Sequence, residues 1–336
     1  MANKRLQEIP FSVLDLAPIT EGHNAATSFK NSLALAQRTE ELGFNRYWLA
    51  EHHNMDSVAS SATAVLIGYI ANGTKTMRVG SGGIMLPNHA PLMVAEQFGT
   101  LASLFPHRID LGLGRAPGTD QLTAMALRRG RMETVEDFPA DIQMLQRLFS
   151  ADNSTSQVRA IPGEGLDVPI WILGSSTDSA RLAAQMGLPY AFASHFAPAQ
   201  FLTAIDIYRK NFRVSQHLDK AYVMACVNVI ASDTNEEAQY LSTSFLQLLK
   251  GIVTGKRSPL PPPIANIDDV LTDDVQSLVH KMMHYSFIGD AKKVLNGLTN
   301  FQEETQVDEI MVTSHIYDHA ARVHSYEVLK KAVQQH

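Results

Sequence analysis

Eight short apolar runs, separated by segments with helical spacing, constrain the fold of this chain most strongly. Most of the runs are continuous rather than alternating in polarity, which is typical of parallel strands buried on both faces. Eight strand–helix units favour a closed barrel over an open, doubly wound sheet. Periodicity does not give the strand order, so the open sheet remains an alternative. The predicted strands are Phe11–Leu16, Tyr47–Ala50, Met77–Leu86, Ile109–Gly114, Pro169–Leu173, Tyr190–Ala193, Tyr222–Ala231 and Glu309–Thr313.

We therefore predict an α/β fold, a (β/α)8 TIM barrel with insertions, in which residues 1–336 form one domain. The length suits this fold, since single barrel domains contain about 200 to more than 400 residues. Residues 129–162 are predicted to hold a helix and a polar stretch, and residues 251–269 contain four prolines. Both are interpreted as insertions. The second is a candidate lid over the strand ends, and a tolerated surface loop is the alternative.

Charge and composition argue against several classes of partner. The formal net charge is −6 and no long cluster of Lys and Arg is present, which disfavours nucleic acid and anionic membranes. No apolar run approaches the roughly 18 residues that a membrane helix needs, and no signal-peptide pattern is visible. The one cysteine, Cys226, lies in an apolar run and is interpreted as an inert core residue. A cytoplasmic location is expected.

Glu51, His52 and His53 follow the second run. The active site of a (β/α)8 barrel forms at the C-terminal ends of the strands, so these residues are candidate catalytic groups. Histidine can move a proton near neutral pH, and a neighbouring carboxylate can fix its tautomer. A structural hydrogen-bonding cluster is an equally supported alternative. Adjacent strand residues point to opposite faces, so His52 and His53 would not readily share an ion, and no metal site is predicted.

The third run contains three glycines, in the stretch Val79-Gly-Ser-Gly-Gly. Glycine weakens a strand, so a reason is needed. The close approach of a flat ligand is one reason. A bulge or bend at the barrel rim is the other, and the residues alone favour it.

Two strand ends carry candidate phosphate-binding groups. Arg115 follows the fourth run, and its planar fork suits a phosphate, although a surface salt bridge is the common alternative. The glycine spacing before it does not match a dinucleotide fingerprint, so a Rossmann fold is rejected. Glycine and hydroxyl residues after the fifth run lie at a predicted helix N-terminus, where backbone N–H groups attract anions. An ordinary N-cap is the alternative there. These residues are Gly174, Ser175, Ser176 and Ser179.

Asp15 lies near the end of the first predicted strand, and His195 follows the sixth. Both are candidate substrate-binding residues because of these positions. For His195, a partly buried packing role is favoured by the residues alone.

Taken together, four motifs resemble the bacterial luciferase-like flavin-dependent monooxygenases, especially the single-chain bacterial branch of that family. The motifs occur in the order and at the spacing of the family, and the likeness covers nearly the whole chain. They are Trp48-Leu-Ala-Glu-His-His, Val79-Gly-Ser-Gly-Gly-Ile-Met-Leu-Pro, Arg108-Ile-Asp-Leu-Gly-Leu-Gly-Arg and Leu173-Gly-Ser-Ser.

The resemblance implies a barrel that binds FMN at the C-terminal rim, as reduced FMNH2, with O2 as cosubstrate. The implied activity is a monooxygenation of a small organic, apolar or aldehyde-type compound, in the class that acts on paired donors with incorporation of oxygen. His52 would be the catalytic histidine, supported by Glu51 and His53, and Gly82-Gly83 matches a place where the family often has a cis peptide under the flavin ring. The predicted cofactor-binding set is Ser81, Gly82, Gly83, Gly114, Arg115, Gly174, Ser175, Ser176 and Ser179.

Several alternatives and expectations accompany this reading. A barrel that uses the deazaflavin F420 and a non-catalytic flavin-binding or storage protein are the main alternatives, and a metal-dependent hydrolase is the third. Gly114 stands where luciferase itself has a reactive cysteine, which argues against light emission. A separate flavin reductase is an expected partner. A homodimer is also expected, formed by helices near residues 60–72 and 91–105.

Overall fold

A computed structural model describes residues 4–116, 118–128, 137–267 and 270–335 of the chain as a closed parallel barrel. The first six strands are neighbours in chain order, β6 pairs with β7, β7 with β9, and β9 with β1. These eight strands close the ring, so the predicted (β/α)8 barrel is confirmed. The strands are β1 (Phe11–Asp15), β2 (Arg46–Leu49), β3 (Arg78–Met85), β4 (Ile109–Gly114), β5 (Ile170–Gly174), β6 (Tyr190–Phe192), β7 (Val223–Ala231), β8 (Ser286–Gly289) and β9 (Glu309–Thr313).

The strand β8 was not among the predicted strands. It pairs in parallel with the second half of β7, from Asn228 to Ala231, and lies outside the closed ring. Three of its four residues are half-buried. Such a short strand has no continuous apolar run by which a sequence pattern would reveal it.

Helices surround the ring, and local signals fix several of their ends. Asn24 caps α1 by accepting the Thr27 N–H at 3.1 Å, and Gly187 ends α6 in the left-handed conformation with φ 63°. No helix in the described ranges combines the length and apolar character that crossing a membrane requires. The helices are α1 (Ala25–Glu41), α2 (Thr63–Gly73), α3 (Pro91–Leu104), α4 (Gln121–Arg128), α5 (Phe138–Phe149), α6 (Thr177–Met186), α7 (Phe201–Asn211), α8 (Asn235–Thr254), α9 (Asp273–Met282), α10 (Ala291–Thr305) and α11 (His319–Gln334).

The first predicted insertion, 129–162, contains α5, one of the helices that surround the barrel. Residues 129–136 lie outside the described part, but α5 is a regular helix of the outer layer, with Ile142 and Leu145 fully buried. The interpretation of this helix as part of an insertion was wrong. It lies in the crossover from β4 to β5, and its apolar face packs against α3 and into the main hydrophobic core.

The second predicted insertion begins within α8 and continues as an extended segment. Gly255 ends α8 in the left-handed conformation, with φ 71°. Leu260 is 1% exposed, donates its N–H to Ile19 O at 2.8 Å, and accepts the Glu21 N–H at 2.9 Å. The segment is therefore attached to the loop that follows β1. Residues 268 and 269 lie outside the described part, and the lid remains a prediction.

Aromatic rings fill the barrel interior. Trp48 and Trp171 pack edge to face, with ring centroids 5.2 Å apart, and Leu14, Met224 and Cys226 complete the layer among others. Cys226 is buried, and burial raises the pKa of its thiol well above the ordinary value. The expected inert, core role of this cysteine agrees with that environment.

A network of buried charges closes the N-terminal end of the barrel. Arg46 pairs with Asp110 at 2.7 Å and with Glu309 at 3.1 Å, and Arg78 pairs with Asp110 at 2.6 Å. Trp48 Nε1 donates to Asp110 at 3.1 Å, and Tyr222 OH donates to Glu309 at 2.9 Å. Each buried carboxylate thus has several donors, which offsets the cost of removing its charge from water.

Replacing Asp110 tests this network. Asp110→Ala is expected to lower the free energy of unfolding by about 3–5 kcal/mol, because two arginines lose a fully buried partner. Urea unfolding followed by far-UV circular dichroism measures the change. Asp206→Ala, which removes an exposed carboxylate paired with Lys210 on α7, is the control and is expected to cost about 0.5 kcal/mol or less. Equal losses in the two variants would contradict the role of the network.

Candidate functional site

Glu51 is the centre of a hydrogen-bonded cluster at the C-terminal ends of β2 and β3. Its carboxylate is 1% exposed and lies 2.9 Å from His53 Nε2 and 2.8 Å from His89 Nε2. The backbone N–H of Met85 donates to the second oxygen at 3.1 Å. An ionised carboxylate only accepts hydrogen bonds, so both imidazoles donate from Nε2. The cluster therefore ties the loop after β2 to the end of β3.

The charge of Glu51 is stabilised by these donors. Burial alone would raise the pKa of the carboxyl group, but the hydrogen bonds from His53, His89 and Met85 lower it to about 2. Glu51 is therefore ionised at neutral pH and does not act as an acid there.

The same three side chains could also hold a metal ion. One ligand atom from each of Glu51, His53 and His89 lies within 4.8 Å of the other two. The hydrogen bonds account for the same arrangement without one.

His89 is a member of this cluster that the sequence analysis missed. It follows the short 3-10 turn Leu86–Asn88 and meets Glu51 only in the folded chain. His89 could have been found from its position, because it is a histidine a few residues beyond the end of a barrel strand, as His52 is.

His52 has a defined tautomer. Its Nδ1 lies 3.1 Å from Gly118 O, and a carbonyl only accepts, so Nδ1 carries the proton. Burial lowers the pKa of the imidazole, and the nearby Arg257 guanidinium also lowers it. The neutral ring therefore keeps Nε2 as a proton acceptor.

Two further imidazoles, those of His195 and His315, lie at the mouth of the barrel, and His195 interacts with both His52 and His315. Burial lowers the pKa of His195 to about 3, with contributions from His315 and His52, and its Nδ1 is buried without a hydrogen-bond partner among the described residues. His315 stacks on Phe245, with centroids 4.8 Å apart, and burial lowers its pKa to about 4. The mouth is thus lined with neutral imidazoles. Only His195 among these two was a sequence candidate.

The glycines of β3 and β4 bring the two backbones into unusually close contact. A Cβ on Gly82 would lie 2.8 Å from a Leu14 methyl carbon, and a Cβ on Gly83 would lie 2.7 Å from Gly112 O. The Gly82–Gly83 peptide is cis, as the resemblance implied, and the β3–β4 register shifts there. Ser81 bonds Gly112 through its hydroxyl at 2.9 and 3.0 Å. Close packing of β3 against its neighbours therefore accounts for the glycines. This agrees with the bulge or bend at the barrel rim that the residues alone favoured.

The phosphate candidates lie at the ends of two adjacent strands, β4 and β5. Ser176 caps α6, and the buried Ser179 donates to Ser176 O at 2.7 Å and bonds Tyr190 OH at 3.0 Å. These two hydroxyls are engaged inside the protein, in accord with an N-cap. The side chains of Arg115 and Ser175 have no hydrogen-bond or ion-pair partner within the described ranges. They remain available to a ligand at this edge.

Gly114 and Gly174 support this edge by their lack of a side chain. A Cβ on Gly114 would lie 2.6 Å from Met85 Sδ, and one on Gly174 would lie 2.1 Å from Ser179 Oγ. A side chain at position 174 would therefore collide with Ser179, whereas one at position 114 would require the flexible Met85 side chain to move.

Asp15 occupies a different environment from that expected of a substrate-binding group. It is fully buried and pairs with Arg322 of α11 at 2.8 Å, while Tyr47 OH donates to it at 2.5 Å. Leu14, its neighbour, packs in the barrel interior, so Asp15 points to the outer face of β1. Burial alone would raise its pKa, but Arg322 and the hydrogen bonds lower it. This geometry joins β1 to α11.

Comparisons of the chain with known proteins give a consistent answer. A family model described as luciferase-like monooxygenase matches residues 9–302. An Escherichia coli protein named luciferase-like monooxygenase is 52% identical over 95% of this chain and 96% of its own length. The N-acetyl-S-alkylcysteine monooxygenase of Bacillus subtilis is 31% identical over 97% of this chain and 98% of its own.

Solved structures with the same fold include apo-MsnO8, which has a TM-score of 0.87 and 31% identity over 97% of this chain and 98% of that one. The oxygenating constituent of 3,6-diketocamphane monooxygenase from Pseudomonas putida, in complex with FMN, has a TM-score of 0.72 and 16% identity over 97% of both chains. An F420-dependent secondary alcohol dehydrogenase has a TM-score of 0.71 and 13% identity over 97% of this chain and 99% of that one. The last two similarities, at 16% and 13% identity, show a shared fold only.

The neutral state of His195 gives a pH dependence of known sign. Its folded pKa of about 3 lies below the value near 6.5 of an unfolded histidine, so the unfolded chain takes up a proton as the pH falls. The free energy of unfolding should fall below about pH 6.5, by up to roughly 1.4 kcal/mol per pH unit from this residue.

His195→Gln is therefore expected to flatten the dependence of stability on pH between about 6.5 and 5, as measured by urea unfolding at a series of pH values. His324→Gln is the control. The carboxylates of Asp233 and Glu327 raise the pKa of His324 although partial burial opposes them, so its contribution lies above this window. An unchanged slope in His195→Gln would show that this imidazole does not stay neutral.

Proposed function

Because the chain belongs to the luciferase-like monooxygenase family, we propose that it is an FMN-dependent monooxygenase that oxidises a small, mainly apolar organic compound with O2. The observation that carries the proposal is His52, a neutral imidazole at the barrel mouth whose Nδ1 donates to Gly118 O, which leaves Nε2 as an acceptor. Reduced FMN would supply two electrons, so that one oxygen atom of O2 enters the substrate and the other leaves as water.

The residues at the rim fit FMN in two respects. Arg115 and Ser175 offer donors without partners in the described chain, next to the N-terminus of α6, which suits a phosphate. The orphaned Nδ1 of His195 is a buried polar atom that a ligand can satisfy.

The residues of the site would then have different roles. His52 would hold or accept a proton at Nε2 beside the reacting centre. Glu51 acts through others, since its carboxylate orients His53 and His89 and fixes the loop that carries His52. His52, His195 and His315 are all neutral at the barrel mouth, so each can take up or pass on a proton there.

Relatives support oxygenation and leave a cofactor alternative. The name of the Bacillus subtilis relative specifies an N-acetyl-S-alkylcysteine as substrate, and the Pseudomonas putida structure holds FMN. An aldehyde-type substrate remains within the proposal. An F420-dependent oxidoreductase is the alternative, because one shares the fold. Titration of the protein with FMN, FMNH2 and F420, followed by absorption, distinguishes the two.

We also propose that two copies associate through α2 and α3. Val65 and Tyr69 lie four residues apart on one face of α2 and are 72% and 41% exposed, and Met93 at the start of α3 is 56% exposed. Light scattering at micromolar concentration should give the mass of a dimer, and Val65→Glu should lower it. A monomer in the unsubstituted protein would remove this proposal.

Arg115→Ala tests the phosphate site. It is expected to weaken FMN binding by about one to two orders of magnitude, because a charge-assisted contact contributes roughly 1.5–3 kcal/mol. Quenching of flavin fluorescence measures the dissociation constant. Arg159→Ala, which removes a surface arginine paired with Glu164, is the control and should bind FMN normally. Unchanged FMN affinity in Arg115→Ala would show that the phosphate binds elsewhere.

His52→Ala tests the catalytic role. Turnover is expected to fall about 10²–10⁴-fold while FMN affinity stays within a few-fold, because a group that moves a proton contributes mainly to the chemical step. Substrate-dependent oxygen uptake measures turnover, and His324→Ala, on the outer helix α11, is the control. Lost FMN affinity with normal turnover of the loaded enzyme would make His52 a binding residue instead.

A further inference from the structure

The connection between β4 and α4 is hydrogen-bonded to the loop after β2, the loop that carries His52. Gly118 O accepts from His52 Nδ1 at 3.1 Å, and the Thr119 hydroxyl donates to His53 O at 2.9 Å. Gly118 has φ 64°, and a Cβ there would lie 2.9 Å from Glu51 O, so the two segments are in close contact. The tautomer of His52 therefore depends on the position of this connection.

Asp120 joins the connection both to α4 and to the loop after β2. Its carboxylate caps α4 by accepting the Thr123 N–H at 3.0 Å, and it accepts the Thr123 hydroxyl at 2.7 Å. The amide of Asn54 bridges the two segments, because it donates to Asp120 at 3.3 Å and to Thr123 Oγ1 at 3.1 Å. The N–H and hydroxyl of Thr123 and the amide of Asn54 lower the pKa of Asp120, so the carboxylate is ionised at neutral pH.

Helix α4 has little apolar packing of its own. Of its eight residues only Ala124 is buried, and Leu122 and Met125 are 78% and 63% exposed. At the C-terminal end of the helix, Arg128 donates to Asn88 Oδ1 at 3.2 Å. Burial of an apolar face is the main source of stability for a helix in a protein, so the position of α4 depends strongly on the polar contacts at its two ends.

On the basis of the function proposed above, in which His52 Nε2 holds or accepts a proton, we propose that Asp120 is a positioning residue for His52. Asp120 holds the connection that includes Gly118 against the loop after β2. Gly118 O then keeps the imidazole proton on Nδ1, and the lone pair stays on Nε2. Asp120 acts through these contacts, since its own carboxylate bonds Thr123 and Asn54 and not the imidazole.

NMR of the full-length chain, labelled with nitrogen-15 in its histidines and without added flavin, measures the tautomer of His52 directly. A His52→Gln sample identifies the signals of this residue. The unsubstituted protein should show one tautomer, protonated at Nδ1. Asp120→Ala should show a mixture of both tautomers, because Gly118 O is no longer held in place. Asp120→Asn should keep the single tautomer, since asparagine caps a helix about as well as aspartate does.

Two further variants separate this role from a general loss of structure. Asn54→Gly removes the bridging amide but suits the left-handed backbone at this position, φ 53°, so it should also give a mixture. Asp290→Ala is the matched control and should leave the tautomer unchanged. Asp290 has the same combination of contacts at another helix, because it caps α10 by accepting the Lys293 N–H at 2.8 Å and accepts from Asn235 at 3.0 Å. Far-UV circular dichroism checks that each variant is folded.

Three results would overturn the proposal. They are a mixture of tautomers in the unsubstituted protein, a single Nδ1 tautomer in Asp120→Ala, and an equal mixture in Asp290→Ala. A single tautomer in Asn54→Gly would overturn the bridge through Asn54 and leave the cap of α4 as the contact that positions His52. The measurement needs neither flavin nor turnover. If the protein does not bind FMN, the proposed function fails separately, and the role of Asp120 is still decided.

Discussion

The buried carboxylates of Asp110 and Glu309 are the constraint on which the rest of the barrel depends. Arg46 contacts both, so β2, β4 and β9 are joined by charge at their N-terminal ends. Gly80 makes room for this, because a Cβ there would lie 2.5 Å from Asp110 O and 2.9 Å from Trp48 Nε1. With one end of the barrel closed by paired charges and the middle filled by tryptophan rings, the C-terminal ends can carry irregular loops and groups without partners.

Much of the fold and part of the site follow from local sequence signals. Every strand of the ring was predictable, because most of them are continuous apolar runs, and His52 and Arg115 were identifiable because they lie just beyond such runs. Contacts between distant parts of the chain were not predictable. His89 meets Glu51 across 38 positions, and Arg322 meets Asp15 across 307. The pattern of residues within one segment does not show which distant residues its side chains will contact.

Asp15 shows a limit of a different kind. The rule that strand ends carry functional groups ignores the face on which a side chain lies. Alternation along β1 puts Leu14 inside and Asp15 outside, where Arg322 and Tyr47 neutralise it. The position of a residue at a strand end indicates that it is near the site. Whether its side chain faces the barrel interior or the outer helices decides whether it can take part. The same parity argument separates Trp48, inside the barrel, from Tyr47, outside it.

The solitary, enclosed thiol of Cys226 has a practical consequence. Maleimides and iodoacetamides need a thiolate that they can reach, and this sulfur is buried with a raised pKa. The unsubstituted chain is therefore silent toward such reagents while it is folded. A second cysteine placed at the exposed position 256 or 258 would be the single site that reacts with these reagents.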